Sequence, residues 1–208
     1  MITATLVVDL HRRCLDAPEW PPPLGDGGHN GDVWSWIETN HRCNSLLWAC
    51  EDEVRRTDAP DAEIVRMKRA IDRYNQARND AVERIDEALL GVFADVAYPP
   101  DARQHSETGG AMIDRLSILA LKIHHMRRET LRDAAGDAHV SRCRARLAVL
   151  AEQQADLARC LDGLLADAAT GRAYFKVYRQ FKMYNDPQLN PALYGAARPH
   201  AGGAAAGR

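Results

Sequence analysis

The chain has 208 residues, of which 46% are hydrophobic and 27% charged, with a formal net charge of −2. Those values belong to soluble globular domains and exclude disorder throughout. No apolar run nears the roughly 20 residues of a membrane span, and Leu6-Val7-Val8 is too short for a signal peptide, so a cytoplasmic protein is expected.

Every long patterned segment has helical rather than strand period, which predicts an all-α fold. A first helix is expected over 3–15, with Thr3 or Thr5 to cap it. Residues 18–32, with Pro21-Pro22-Pro23 and four glycines, read as a long surface loop. Asp32 can cap a second helix reaching about residue 56, and Asp61, after Pro60, a third reaching about residue 96. The third helix has its apolar seam on Ile64, Met67, Ile71, Tyr74, Val82, Ile85, Leu89 and Val92, and Arg78 stands where a seam residue should be.

Tyr98-Pro99-Pro100 breaks that helix. Ser106-Glu107-Thr108-Gly109-Gly110 opens a fourth, with Met112, Leu116, Leu119, Ile123 and Met126 on its core side. In the fifth helix, Val140, Cys143, Leu147, Leu150, Gln154, Leu157, Leu161, Leu164 and Ala168 alternate spacings of three and four, which demands helix-on-helix packing. Gly171 ends it. A short aromatic helix is expected over 173–184, and the Ala/Gly-rich tail 201–208 is expected to be disordered. The predicted architecture is one all-α domain over residues 1–200: an antiparallel bundle of five to six helices built from two long hairpins. The five cysteines form no Cys-x-x-Cys pair and read as small core residues.

Short turns make hairpin helices antiparallel neighbours, so the second and third helices should pair Glu51 with Lys68 or Arg69, Asn44 with Asp72 or Arg73, His41 with Asn75 or Gln76, and Glu38 with Asn79 or Asp80. Such stripes either satisfy one another or form a polar cleft for a small charged or sugar-like ligand. Glu38 and His41 have Glu-x-x-His spacing but no second copy. Glu51, Glu83 and Asp86 are the alternative carboxylates for a divalent metal, which is not the favoured reading; no cofactor is predicted.

Thr108, Gly109 and Gly110 leave backbone N–H groups open to an anion at a helix start, unless the glycines serve close packing. Arg115, Lys122 and His125 lie along one stripe leading away from it. From Ala168 onward the charge is +5, leaving −7 before it, and six of the thirteen aromatics fall in this last segment, interleaved with Arg172, Lys176, Arg179 and Lys182. These are too few cations for general nucleic-acid binding.

Asn44-x-x-Leu47-Trp48-x-x-Glu51-Asp52, Lys68-Arg69-x-Ile71-Asp72-x-x-Asn75-Gln76-x-Arg78-Asn79-Asp80, Met112-Ile113-Asp114-Arg115-Leu116-Ser117-Ile118-Leu119 and Tyr178-Arg179-Gln180-Phe181-Lys182 together resemble a bacterial family, domain of unknown function 4254. The resemblance implies no established reaction, so whether the chain is an enzyme stays open. It implies a setting beside glycosyltransferase genes in surface-polysaccharide clusters.

The expectation is a binding or accessory protein for a phosphorylated or nucleotide-linked sugar, whose ligand-binding residues are Asn44, Asn75, Arg78, Asn79, Thr108, Gly109, Gly110, Asp114, Arg115, Arg179 and Lys182. The alternatives are a metal-assisted hydrolase of a nucleotide or phosphoester, and a structural helical partner without a small ligand. Candidate partners are a glycosyltransferase and a second copy of the chain.

Overall fold

In the computed structural model, which describes residues 2–24, 31–179, 186 and 188–191, five helices account for most of the chain. They are α1 (Ala4–Asp16), α2 (Val33–Val54), α3 (Asp61–Val92), α4 (Gly109–Glu129) and α5 (Asp137–Ala169), with two-residue strands β1 (Arg103–Gln104) and β2 (Ala173–Tyr174). The all-α class is observed, and α2 with α3 and α4 with α5 form the two expected hairpins. Met1–Val177 is one compact unit and Tyr178–Arg208 a second. In the second, the described part is a turn in which Asp186 accepts the Gln188 N–H at 2.8 Å.

The caps explain why the helices start where they do. Thr3 accepts the Leu6 N–H at 3.4 Å, Asp32 the Ser35 N–H at 2.8 Å and Thr108 the Ala111 N–H at 3.1 Å. The third start differs from expectation. Pro60 occupies the cap position without a side-chain bond, and Asp61 is the first helical residue, where with Glu63 it complements the helix dipole. α2 and α3 stop at Val54 and Val92, short of the expected ends, and Phe93, just past α3, turns into the core.

α4 is the central helix. It touches all four other helices, so Met112, Ile113, Leu116, Ser117, Ala120 and Leu121 are buried around more than one face. Of its expected core side, Met112, Leu116 and Ile123 are buried, while Leu119 and Met126 are half-buried. On α5 the two ends of the seam are buried at Val140, Cys143, Leu157, Leu161, Leu164 and Ala168; Leu147, Leu150 and Gln154 in its middle are only half-buried.

The aromatic helix expected over 173–184 is not present in its described part. Gly171 adopts a left-handed φ of 74°, and the chain continues as β2, parallel to β1, with the His105 N–H donating to the Tyr174 carbonyl at 2.7 Å. The physical reason is legible in Ala173-Tyr174-Phe175-Lys176. This run alternates inward and outward, so Ala173 and Phe175 are buried while Lys176 is exposed, and a strand buries Phe175 where a helix would have paired Tyr174 with Tyr178. The remainder of the predicted helix and the tail 201–208 lie outside the described residues. Of the cysteines, Cys43 and Cys143 are buried, but Cys160 is exposed rather than a core residue.

Candidate functional site

The polar positions of α2 fall on the side that meets α4. Asn40 and Asn44, one turn apart, both donate to the Asp114 carboxylate at 2.8 Å; Asn44 also donates to Ser117 Oγ at 3.0 Å. Ser117 Oγ in turn lies 2.8 Å from His41 Nδ1. The expected pairing of Asn44 and His41 with α3 is therefore corrected: they face α4, while the exposed Asp72 binds Lys68 along its own helix at 2.7 Å. A helix at the junction of two neighbours has two inner faces, and the hairpin sum identifies the residues of only one.

Behind this network lies a stack that the sequence reading missed in part. The ring of His11 on α1 sits 4.4 Å from that of His41, which stacks in turn on Trp20 at 5.4 Å. Trp20 donates to Ser45 Oγ at 2.9 Å, so the first part of the proline-rich loop is anchored inward. Both His11 nitrogens and His41 Nε2 are buried with no hydrogen-bond partner. Burial first, and then the repulsion that a protonated His41 would exert, hold the His11 pKa well below its ordinary value; burial lowers that of His41 to about 3. Both are neutral. His11 stands four residues after Val7, which follows Ala4 by three, and that spacing was the available signal for its burial.

The stripe opens into a groove of about 440 Å³. Asn44, Trp48 and Glu51 line it from α2 and Asn75 and Arg78 from α3, while Ile118 and Leu121 of α4 give it an apolar floor. Glu51 pairs with Arg55 at 3.3 Å. Arg78 reaches Asn79 Oδ1 at 3.3 Å through one terminal nitrogen, while its Nε is buried without a partner. Three of the expected ligand-binding residues thus converge: Asn44, Asn75 and Arg78. Asp114 stands behind them, linked through Asn44, and Asn79 through its contact with Arg78.

The start of α4 is arranged differently from the expected anion site. Gly109 and Gly110 are both buried, and the Gly110 N–H donates to Asp86 Oδ1 at 2.6 Å, so the anion at this terminus is the chain's own carboxylate. A Cβ on Gly110 would lie 2.7 Å from the Val82 carbonyl oxygen, so close helix packing is what the glycine provides. Arg115 is held by both oxygens of Glu107 at 2.7 and 2.8 Å, on a separate groove between α4 and α5. Arg179 belongs to the second unit, and Lys182 lies outside the described residues.

The alternative carboxylates are also dispersed: Glu51 is in the groove, whereas Asp86 is under Gly110 with the charge of Glu83 acting on it. Glu38 binds Arg42 at 2.7 Å while His41 turns to Ser117. Among the described residues no group of three or more His, Cys, Asp or Glu could hold a metal ion.

Burial pushes the Asp86 carboxyl up to about 6, against the opposite pull of its bonds to Thr108 and Gly110. A carboxyl raised in the folded state stabilises fully below its unfolded value, and that contribution is lost as pH rises through about 6. Asp86→Asn, which keeps an acceptor for Gly110 and removes the charge, is therefore expected to stabilise the fold by about 3 kcal/mol at pH 7.5 and by next to nothing at pH 3.5. Urea denaturation at the two pH values checks this. A loss at pH 7.5 would show that the ionised carboxylate is a net stabiliser of the helix start.

A family model described as Protein of unknown function (DUF4254) matches residues 34–177. The match begins in α2 and ends at Val177, so it takes in the groove and α4 but not α1 or the Tyr178-Arg179 stretch of the resemblance. No curated protein and no solved structure matches the chain.

Proposed function

We propose a function for this chain, which belongs to the family Protein of unknown function (DUF4254), from its polar groove: it binds a phosphorylated or nucleotide-linked sugar as an accessory protein in glycosyl transfer. The supporting observation is the convergence of Asn44, Asn75 and Arg78 on one concavity, with Arg78 Nε buried and unpartnered. A buried donor left unpaired costs about 1–3 kcal/mol, and a ligand oxygen removes that cost.

The composition of the groove favours a sugar. Each amide offers a donor and an acceptor side by side, which suits vicinal hydroxyls, and Glu51 adds an acceptor. Trp48 supplies a flat apolar surface of the kind that sugar C–H faces cover. Arg78 supplies charge for a phosphoryl group. A volume of about 440 Å³ suits one sugar unit and its phosphate. The glycosyltransferase setting implied by the resemblance is consistent with a sugar donor as the source of that ligand.

A thermal-shift screen of hexose phosphates and nucleotide sugars tests this reading on the wild type, Asn75→Ala and Arg78→Ala. A true ligand at about ten times its Kd is expected to raise the wild-type Tm by about 3–6 °C. Both substitutions are expected to abolish the rise. A panel that leaves the wild type unmoved, or shifts it and both variants equally, overturns the assignment.

A further inference from the structure

On the other side of Trp48 lies a larger groove of about 830 Å³ between α4 and α5, and Trp48 and Asp52 line both. Its wall is aromatic and apolar: the Trp48 and His125 rings are parallel within 4° at 4.5 Å, and Val149 beside them is 53% exposed. Its rim is cationic. Lys122 and Arg128 of α4 and Arg146 of α5 are exposed, and none forms an ion pair with a described residue. Of the acids present, Glu129 is already held by Arg132 at 2.9 Å and His139 at 3.0 Å, which leaves Asp52 against three cations.

Resting on the sugar reading of the adjoining groove, we propose that this second groove receives a nucleoside diphosphate, making the two grooves one bipartite site for a nucleotide-linked sugar. The base lies along the Trp48–His125 wall and the diphosphate against Lys122, Arg128 and Arg146. The sugar then passes Trp48 toward Asn44, Asn75 and Arg78. An excess of two positive charges complements a diphosphate, and the outward side of the wall, with the exposed Val149, gives the base an apolar surface. A second copy of the chain is a poor occupant of the same face. Across a two-fold axis the three unpaired cations would oppose themselves, which disfavours association.

Neighbouring charges fit this role. The pKa of His125 is lowered by burial and then by His124, so its ring stays neutral and stackable at pH 7. Lys122 also borders the groove that holds Arg115, which extends the cationic track along α4.

Calorimetry with UDP, GDP, ADP and inorganic pyrophosphate tests the assignment on the wild type, on Lys122→Ala/Arg146→Ala and on Arg144→Ala, an exposed α5 cation that lines neither groove, with circular dichroism to confirm folding. At least one nucleoside diphosphate is expected to bind the wild type, about tenfold or more weaker to the double variant, and within about twofold of wild type to Arg144→Ala. Pyrophosphate is expected to bind about tenfold weaker than that nucleotide, because it lacks the stacked base. The proposal is overturned if no nucleoside diphosphate binds, if pyrophosphate binds as tightly, or if the protein binds phosphatidic-acid vesicles and none of the nucleotides. Failure here with a surviving Asn75-dependent shift for hexose phosphates leaves the polar-groove reading intact. Nucleotide binding without any sugar-dependent shift overturns that reading and with it the bipartite site, and leaves the second groove a nucleotide site alone.

Discussion

Gly110→Ala is expected to destabilise the protein by about 3 kcal/mol or more. The new methyl would sit 2.7 Å from the Val82 carbonyl oxygen and 2.8 Å from Asp86 Oδ1. The first of these belongs to the backbone of α3 and cannot rotate away, so α4 must retreat from α3. That retreat stretches the 2.6 Å bond from Gly110 to Asp86 and leaves a buried carboxylate short of one of its donors. Gly109 is a milder case. Its methyl would meet the end of the Leu89 side chain, which can move. Gly163 in α5 provides the control, because a methyl there meets nothing within 4 Å, and Gly163→Ala is expected to stabilise by about 0.5–1 kcal/mol through helix propensity. Chemical denaturation of the two variants should therefore move the midpoint in opposite directions. Equal and small effects would mean that the α3–α4 contact is looser than these distances imply.

The same glycine pair shows how far the sequence could be read. Two glycines at a helix start indicate that backbone comes close to something, and the sequence left open whether that was an anion or another helix. Both occur: the close neighbour is α3 and the anion is its Asp86. Local chemistry located the feature, but its partner lies 24 residues away and depends on packing. Helix spans were legible because caps such as Thr3, Asp32 and Thr108 act within three residues. The facing residues of α2 were not, because α4 enters the bundle beside the hairpin and takes the polar face. The second groove was hidden for a similar reason. Trp48, Lys122 and Arg146 come from three helices, and only packing makes them neighbours. In the aromatic segment, residues at helical spacing concealed an equally good period of two, and Gly171 with its turn decided for the strand.

The protein is expected to lose stability between pH 7 and pH 4, through the His11–His41 stack. Both histidines have folded-state pKa values below the ordinary 6.5, about 3 for His41. Such groups give stability that is present above the unfolded pKa and lost as pH falls toward the folded one, because only the unfolded chain takes up the proton. His41 alone accounts for about 3 kcal/mol down to pH 4, and His11, held neutral by burial, adds a loss of the same sign. Asp86 acts in the opposite sense, recovering part of this loss as it is protonated below about pH 6, so the net loss is smaller than the two histidines alone would give.

Two substitutions separate these terms. His11→Phe keeps a ring to stack on His41 and removes two unpartnered nitrogens, so it should be at least as stable as the wild type at pH 7 and should lose less stability by pH 4. Asp86→Asn should instead steepen the acid limb, because the compensating protonation is gone. Urea midpoints at pH 7, 5 and 4 give the three slopes directly. A His11→Phe variant with the wild-type slope would show that His11 is not held neutral by the fold, and His11 would then have no part in acid unfolding.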